Sequence, residues 1–275
     1  MENPKGYINS DYLVTSDWLN EHRQDAGLLI IDARPRTDYE SEHIPGALHH
    51  DPFPHHVYDT SPQAIFGFQK QMEEIFCGLG LQPQHTVVFY DEISGMRAPR
   101  CLWILEYLGH SQVKILDGGL AAWKAQGFPV SQEIPAPGMG SFNPNPRESL
   151  LATYQDILDR LHQPGVVLLD TRRESEYRGT EVRSARGGTI PGSIHLEWTR
   201  NLNGDGTIKN AAELRQLYEA HHVTPDKEIL VYCHGGYRSA NTYLALKLLG
   251  YPRVRNYLGS WGEWGNRPDL PIEIP

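Results

Sequence analysis

The stretch LATYQDILDRLHQPGVVLLDTR, residues 151–172, aligns without a gap on LVTSDWLNEHRQDAGLLIIDAR, residues 13–34. Leu, Thr, Gly, Asp and Arg recur in step, so the chain is written twice. Tyr39 and Tyr177 stay in register, and HIPGAL (43–48) answers TIPGSI (189–194). Farther on, TVVFYDEISGMRAPRCLWILEYLG answers EILVYCHGGYRSANTYLALKLLG, and Trp123 and Trp264 close the two copies. The intervening PVSQEIPAPGMGSFNPNP is rich in Pro, Gly, Asn and Ser and reads as a linker. Two homologous domains are expected, 1–130 and 145–275, joined by a linker over 131–144.

Each copy alternates helical patterns with short apolar runs. In 150–161, Leu150, Leu151, Tyr154, Ile157, Leu158 and Leu161 fall on one helical face, which predicts a helix there. GVVLLD and EILVYC are continuous apolar runs of strand length, as expected of strands covered on both faces. Alternating helices and buried strands predict an α/β fold, each domain a central parallel sheet flanked by helices. Ligands of such sheets bind beyond the carboxyl ends of the strands, and Cys233 falls at such an end.

That cysteine opens VYCHGGYRSA, residues 231–240. The run SANTYLALKLLG reads as a helix, with Ser239 or a neighbour capping its start and Gly250 placed for the C-terminal cap. Its packing face would hold Ala240, Tyr243, Leu244, Lys247 and Leu248. Between strand and helix, Gly235 and Gly236 are free to take backbone angles closed to other residues. The loop can then curl its N–H groups inward around an anion at a helix N-terminus. With Arg238 near, that setting favours thiolate over thiol. The alternative is a tight turn in which Cys233 only packs. The first copy has YDEISGMR, with Asp91 in place of the cysteine. A carboxylate cannot take up a sulfur atom as a persulfide, so the second domain is expected to react and the first to support it. Cys77 and Cys101 lie in apolar, helix-like stretches and read as packing thiols. Three widely spaced cysteines argue against a disulfide framework or a CxxC zinc site.

The bulk composition narrows the partners. A content of 39% hydrophobic and 21% charged residues is that of a soluble globular protein. A net charge of −9 speaks against nucleic acid or an anionic membrane, so an anionic substrate must be gathered by a local positive patch. No apolar run approaches the roughly 20 residues of a membrane span. The start MENPKGYINSDYL lacks the pattern of a signal peptide, and a cytoplasmic protein is expected.

These motifs resemble the tandem rhodanese family, the thiosulfate sulfurtransferases. The resemblance rests on DAR…DYESEHIPGAL, DTRRESEYRG…IPGSI, VYCHGGYRSA and YLGSWGEW, and it covers nearly the whole chain. It implies two rhodanese folds facing each other, with the active site in the cleft between them on the C-terminal loop. Cys233 would be the catalytic thiolate, taking the outer sulfur of thiosulfate as a persulfide and passing it to cyanide, a thiol or a thioredoxin-like protein. His234, Gly235, Gly236, Tyr237, Arg238 and Ser239 would bind the substrate, with Arg238 and His234 holding its sulfonate end. No cofactor and no metal are implied, and the pairing of two domains fits a monomer.

Within the family's fold the loop length discriminates. Phosphatases of this fold resemble C-x5-R, whereas Cys233 to Arg238 is C-x4-R, one residue shorter and suited to a single sulfur. The 3-mercaptopyruvate sulfurtransferases are a nearer alternative; they tend to carry C-G-S-G-V-T and an arginine before the tyrosine of the second D-x-R…Y motif. Here the loop is C-H-G-G-Y-R and Glu176 precedes Tyr177, a charge expected to repel a substrate carboxylate. A third reading is a non-catalytic sulfur-binding or regulatory module.

Candidate rim residues come from several segments. Arg172, Arg173, Arg178, Arg183 and Arg186 crowd one insertion of the second domain. They either border the cleft, offsetting the negative net charge, or pair with nearby acids in solvent. Met96 and Arg97 would reach the rim from the first domain, and Trp198 and Trp261 would wall the pocket or join the core. The candidate rim is thus Met96, Arg97, Arg178, Arg186, Trp198 and Trp261. Asp32 and Asp170 end strands and are expected to brace loops. HHDPFPHHVYD (49–59) has adjacent histidine pairs and two prolines, which read as loop histidines without a metal.

Overall fold

The computed structural model describes residues 4–275. The first copy runs β1 (Leu13–Val14), α1 (Ser16–His22), β2 (Leu28–Asp32), α2 (Arg36–Ser41) and β3 (Leu48–His49). It continues through α3 (Pro62–Gly78), β4 (Thr86–Tyr90), α4 (Arg97–Tyr107), β5 (Val113–Leu116) and α5 (Gly119–Ala125). The second copy opens with β6 (Leu151–Ala152), α6 (Tyr154–Leu158), β7 (Val166–Asp170), α7 (Glu174–Tyr177) and β8 (Ile194–His195). It closes with α8 (Ala211–Glu219), β9 (Glu228–Tyr232), α9 (Arg238–Leu248), β10 (Val254–Tyr257) and α10 (Ser260–Trp264).

Each copy folds into a five-stranded parallel sheet, ordered β1-β5-β4-β2-β3 in the first and β6-β10-β9-β7-β8 in the second. The identical order is the three-dimensional form of the sequence repeat. The shared D-x-R motif has the same task in both. Asp32 accepts the backbone N–H of Arg34 at 2.9 Å and its guanidinium at 2.8 Å; Asp170 does the same for Arg172 at 3.0 and 2.6 Å. These pairs are buried, and the arginines spend further N–H groups on the carbonyls of Glu42 and Gly188, so the desolvated charges are met on all sides. They brace the strand ends from which the cleft loops leave.

The helix read over 150–161 is shorter than its periodicity implies. Only Tyr154–Leu158 is helical, because Leu151 and Ala152 pair with Asn256 and Tyr257 as an edge strand. Thr153 then caps the helix and Asp156 returns a bond to the Thr153 N–H, a capping box that fixes the start at Tyr154. Apolar spacing cannot separate a strand residue from a helix residue when both face one core. The segment 129–146 has no helix of its own but is not loose. Ser131 and His43 exchange backbone bonds, Ser141 N–H donates to Leu81, and Phe142 is buried.

The two copies share their largest apolar cluster, and each keeps a smaller cluster of its own. A single apolar cluster includes Leu102, Trp103 and Tyr107 of α4 together with Tyr243, Leu244 and Leu248 of α9. Both helices are buried along almost their whole length, each packed on its own sheet and on the other helix. Polar groups find partners across the join: Glu106 of α4 accepts from the Tyr243 hydroxyl of α9 at 2.8 Å, as it does from Tyr12 of its own copy at 2.7 Å, and Thr60 N–H donates to Glu263 of α10 at 2.7 Å. Among the described residues no helix is long and apolar enough to cross a membrane.

Candidate active site

Cys233 is the first residue after β9, and α9 begins five residues later at Arg238. Its loop is clamped from below. Ser260 hydroxyl accepts the Cys233 N–H at 3.2 Å, and Trp261 and Gly262 N–H groups donate to the carbonyls of Cys233 and His234 at 3.0 and 2.8 Å. The thiol is buried, with Sγ accepting the Gly236 N–H at 3.1 Å. Ser239 does not cap α9; the cap position is Tyr237, and Ser239 is the second helical residue. Its Oγ lies 3.6 Å from Sγ and 2.7 Å from Asn256 Oδ1, with one proton to share between them. Burial pushes the Cys233 thiol up. The Arg238 charge and the bonds from Ser239 and Gly235 outweigh it and hold the pKa below the ordinary thiol value.

The two glycines have different reasons. Gly236 takes φ +82°, a left-handed conformation that turns its N–H onto the sulfur. Gly235 has no such angle; a Cβ there would come within 2.7 Å of the His56 ring. The second loop glycine is thus a backbone requirement and the first a close approach of the other domain.

A cavity of about 300 Å³ opens above the loop. Cys233, His234, Gly235, Tyr237 and Arg238 form its floor, and Trp198, Arg173 and Arg183 stand on the second-domain side. Phe53, His56 and Met96 enter from the first domain, so the cavity lies between the copies. Tyr237 ties the sides together, donating its hydroxyl to the Pro52 carbonyl at 2.6 Å and packing against Phe53 and His56.

Arg238 and His234 differ from expectation. The Arg238 guanidinium is engaged by both carboxylate oxygens of Glu176, which is itself buried. Burial alone would raise the Glu176 pKa, yet the bonds and charge of Arg238 hold it down to about 2. Arg238 therefore acts on the sulfur as a fixed charge and not as a free anion receptor, and Glu176 is neutralised rather than bare. Burial and the charges of Arg183 and Arg238 lower His234 to about 4, so the ring is neutral at pH 7, and its Nδ1 is buried without a partner.

The rim also rearranges. Met96 and Trp198 line the cavity, whereas Arg97 turns away to pair with Asp51 at 2.8 Å over the Phe53 ring. Arg178 lies outside, one helical turn from its partner Glu174 on the surface. Arg186 is consumed by the carbonyls of Trp264, Arg267 and Leu270, and Trp261 packs in the core with Arg172 stacked 4.5 Å from its ring. Of the five arginines crowded over 172–186, Arg173 and Arg183 reach the cavity. Phe53 and His56 are not among the expected rim residues; His56 belongs to the histidine run read as a loop, and that aromatic- and histidine-rich run at 49–59 is the only signal for either.

In the first copy Asp91 occupies the position of Cys233 and accepts the N–H groups of Glu92 and Arg97 at 2.8 and 3.0 Å. It fills its loop and accepts the first N–H of α4, and that loop has no thiol.

The family profile of the rhodanese-like domain matches residues 15–126 and 153–267. Thiosulfate sulfurtransferase of Azotobacter vinelandii is 37% identical over 247 residues, 90% of this chain and 91% of that one. The sulfur carrier protein TtuD of Thermus thermophilus is 35% identical over 284 residues, 97% of this chain and 98% of its own. Among solved structures, the anaerobic ergothioneine biosynthesis enzyme from Chlorobium limicola shares the fold with a TM-score of 0.84 at 24% identity, over 98% of this chain and 71% of that one. With both copies matched and the duplicated sheets in the same order, the chain belongs to the rhodanese family as a protein of two rhodanese-like domains in tandem.

Proposed function

We propose that this chain is a thiosulfate sulfurtransferase that carries sulfur on Cys233. The observation that carries the reading is the thiol's setting: Sγ receives the Gly236 N–H, lies beside the Arg238 charge and opens into a cavity edged by two arginines. Thiosulfate would enter with its sulfonate toward Arg173 and Arg183 and its outer sulfur toward Cys233. The thiolate attacks that sulfur, the sulfur–sulfur bond of thiosulfate breaks, and its electron pair leaves with sulfite. Charge is conserved, since thiolate and dianion become a persulfide anion and sulfite dianion. Cyanide or a thiolate acceptor then attacks the outer persulfide sulfur and returns the Cys233 thiolate. The covalent intermediate splits one transfer into two steps. N–H groups of the loop hold the anionic sulfur at each stage, a fixed hydrogen-bond set that needs no rearrangement.

Mercaptopyruvate is a weaker candidate donor, although Glu176 is less of an obstacle than its charge alone implies, because Arg238 neutralises it. The preference for thiosulfate is supported by the relatives named for it. A carrier role, in which the persulfide passes to a protein, is supported by the similarity to TtuD.

Thiocyanate formation from thiosulfate and cyanide, measured for wild type and Cys233→Ser, tests the reading. Wild type should turn over and gain the mass of one sulfur atom, lost again on cyanide treatment. The variant should be folded and inactive. Retained activity in Cys233→Ser would overturn the assignment, and faster turnover with mercaptopyruvate would replace the donor. Loading without turnover would favour the carrier.

A further inference from the structure

Arg100 sits at the fourth position of α4 and Asn241 at the fourth position of α9. Each reaches across to the other domain's loop. Asn241 Nδ2 donates to the carbonyls of Ser94 and Gly95 at 2.9 and 2.7 Å, and Arg100 Nη1 donates to the carbonyl of Gly236 at 3.3 Å. Asn241 is neutral and satisfied. Arg100 is neither: its side chain is wholly buried, and Nε and Nη2 find no acceptor. No carboxylate pairs with it among the described residues; it lies instead over the rings of Tyr237 at 5.0 Å, Trp103 at 5.1 Å and Phe68 at 5.8 Å. A buried guanidinium without an anion is strongly unfavourable.

An anion is nonetheless within electrostatic reach. Burial pulls the Arg100 pKa down, and Tyr237, Cys233 and Cys101 oppose that pull. Burial keeps Cys101 in its thiol form and raises Tyr237, leaving Cys233 as the group able to carry charge. The contact is also geometric. Gly236 gives its N–H to Sγ, while its carbonyl is held by Arg100 and by Asn256 Nδ2 at 3.1 Å. Fixing the carbonyl fixes the residue whose N–H meets the sulfur, and a Cβ on Gly236 would stand 2.6 Å from Arg100 Nη1.

We infer that Arg100 is a positioning residue supplied by the cysteine-free domain, a buried counter-charge that holds Cys233 as an anion and the Gly236 N–H upon it. This rests on Cys233 being the reacting thiol and gives the first domain a part in that chemistry. The other groups facing the sulfur are Arg238 with Glu176 behind it, Ser239, and Tyr58 from the first domain.

The test needs no substrate. In the full chain, the rate at which iodoacetamide alkylates Cys233 is followed against pH by mass spectrometry of its peptide, which separates it from Cys101. Arg100→Met should move the midpoint upward and slow alkylation at pH 7 at least tenfold. Its thermal midpoint should equal or exceed that of wild type, since a buried guanidinium with two unpartnered nitrogens has been removed. Arg100→Lys, which keeps the charge, should return most of the rate. A folded Arg100→Met with the wild-type profile would overturn the inference, as would Arg100→Lys being as slow as Met. If Met fails to fold, Arg100→Gln takes its place; failure of both neutral variants while Lys folds would show a purely structural cation and equally overturn it. A shifted profile in a chain that takes no sulfur from thiosulfate would sink the proposed function and leave Arg100's role standing.

Discussion

Glu176 and Arg238 form a two-pronged ion pair behind the Cys233 loop, joining α7 to the first turn of α9. The pair settles how the cation can act. Arg238 is held by a carboxylate on one side and faces the sulfur on the other, so it biases ionisation, while Arg173 and Arg183, exposed and held only by long contacts to Glu181 and Glu176 at 3.8 and 3.5 Å, line the cavity.

Glu176→Gln should therefore lower the Cys233 pKa further, because Arg238 loses the charge that offsets it. It should also destabilise the fold by about 3–5 kcal/mol, the usual cost of removing one partner from a buried pair. Thermal unfolding and the pH profile of Cys233 alkylation read the two effects. In wild type the depressed Glu176 pKa contributes stability that is present above its unfolded value of 4.5 and lost as pH falls through about 2. Acid unfolding of Glu176→Gln should lack that component.

Arg183→Ala and Arg173→Ala should raise the KM for thiosulfate with kcat little changed. Each removes a charged donor at the cavity edge, an effect of roughly tenfold for a charge-assisted bond. Both side chains are exposed, so the wild-type KM should rise with ionic strength and the double variant should lose that dependence. A fall in kcat at unchanged KM would show that neither meets the ground-state substrate.

Ser239→Ala removes one donor near Sγ and leaves the buried Asn256 Oδ1 without its 2.7 Å partner. The expected cost is about 1–3 kcal/mol in denaturant unfolding. The Cys233 pKa should rise, and sulfur loading at pH 7 should slow severalfold and recover as pH is raised.

Gly236→Ala places a side chain at φ +82° and against Arg100. The backbone alone should cost about 1–3 kcal/mol, and the displaced N–H should abolish most turnover. Gly235→Ala, without the angle, should disturb mainly His56 and retain more activity; equal loss in both would mean that the left-handed turn is not the deciding feature.

The sequence by itself determined the duplication, the parallel α/β order of each copy, and Cys233 at a strand end opposite Asp91. These depend on local periodicity and on glycine and aspartate chemistry within a few residues. The D-x-R braces belong here too, because Asp170 and Arg172 meet at a separation of two. Tertiary structure alone decided which arginines see the cavity. Arg172, Arg178 and Arg186 are spent on an aspartate, a neighbouring glutamate and backbone carbonyls, and nothing in their spacing distinguishes them from Arg173 and Arg183. It also decided that Glu176 restrains Arg238 across 62 positions and that Arg100 reaches Gly236 across 136. Such contacts arise only when distant elements of one copy, or the two copies, pack together, since a side chain's electrostatic partner is set by what burial brings beside it and not by its place in the chain.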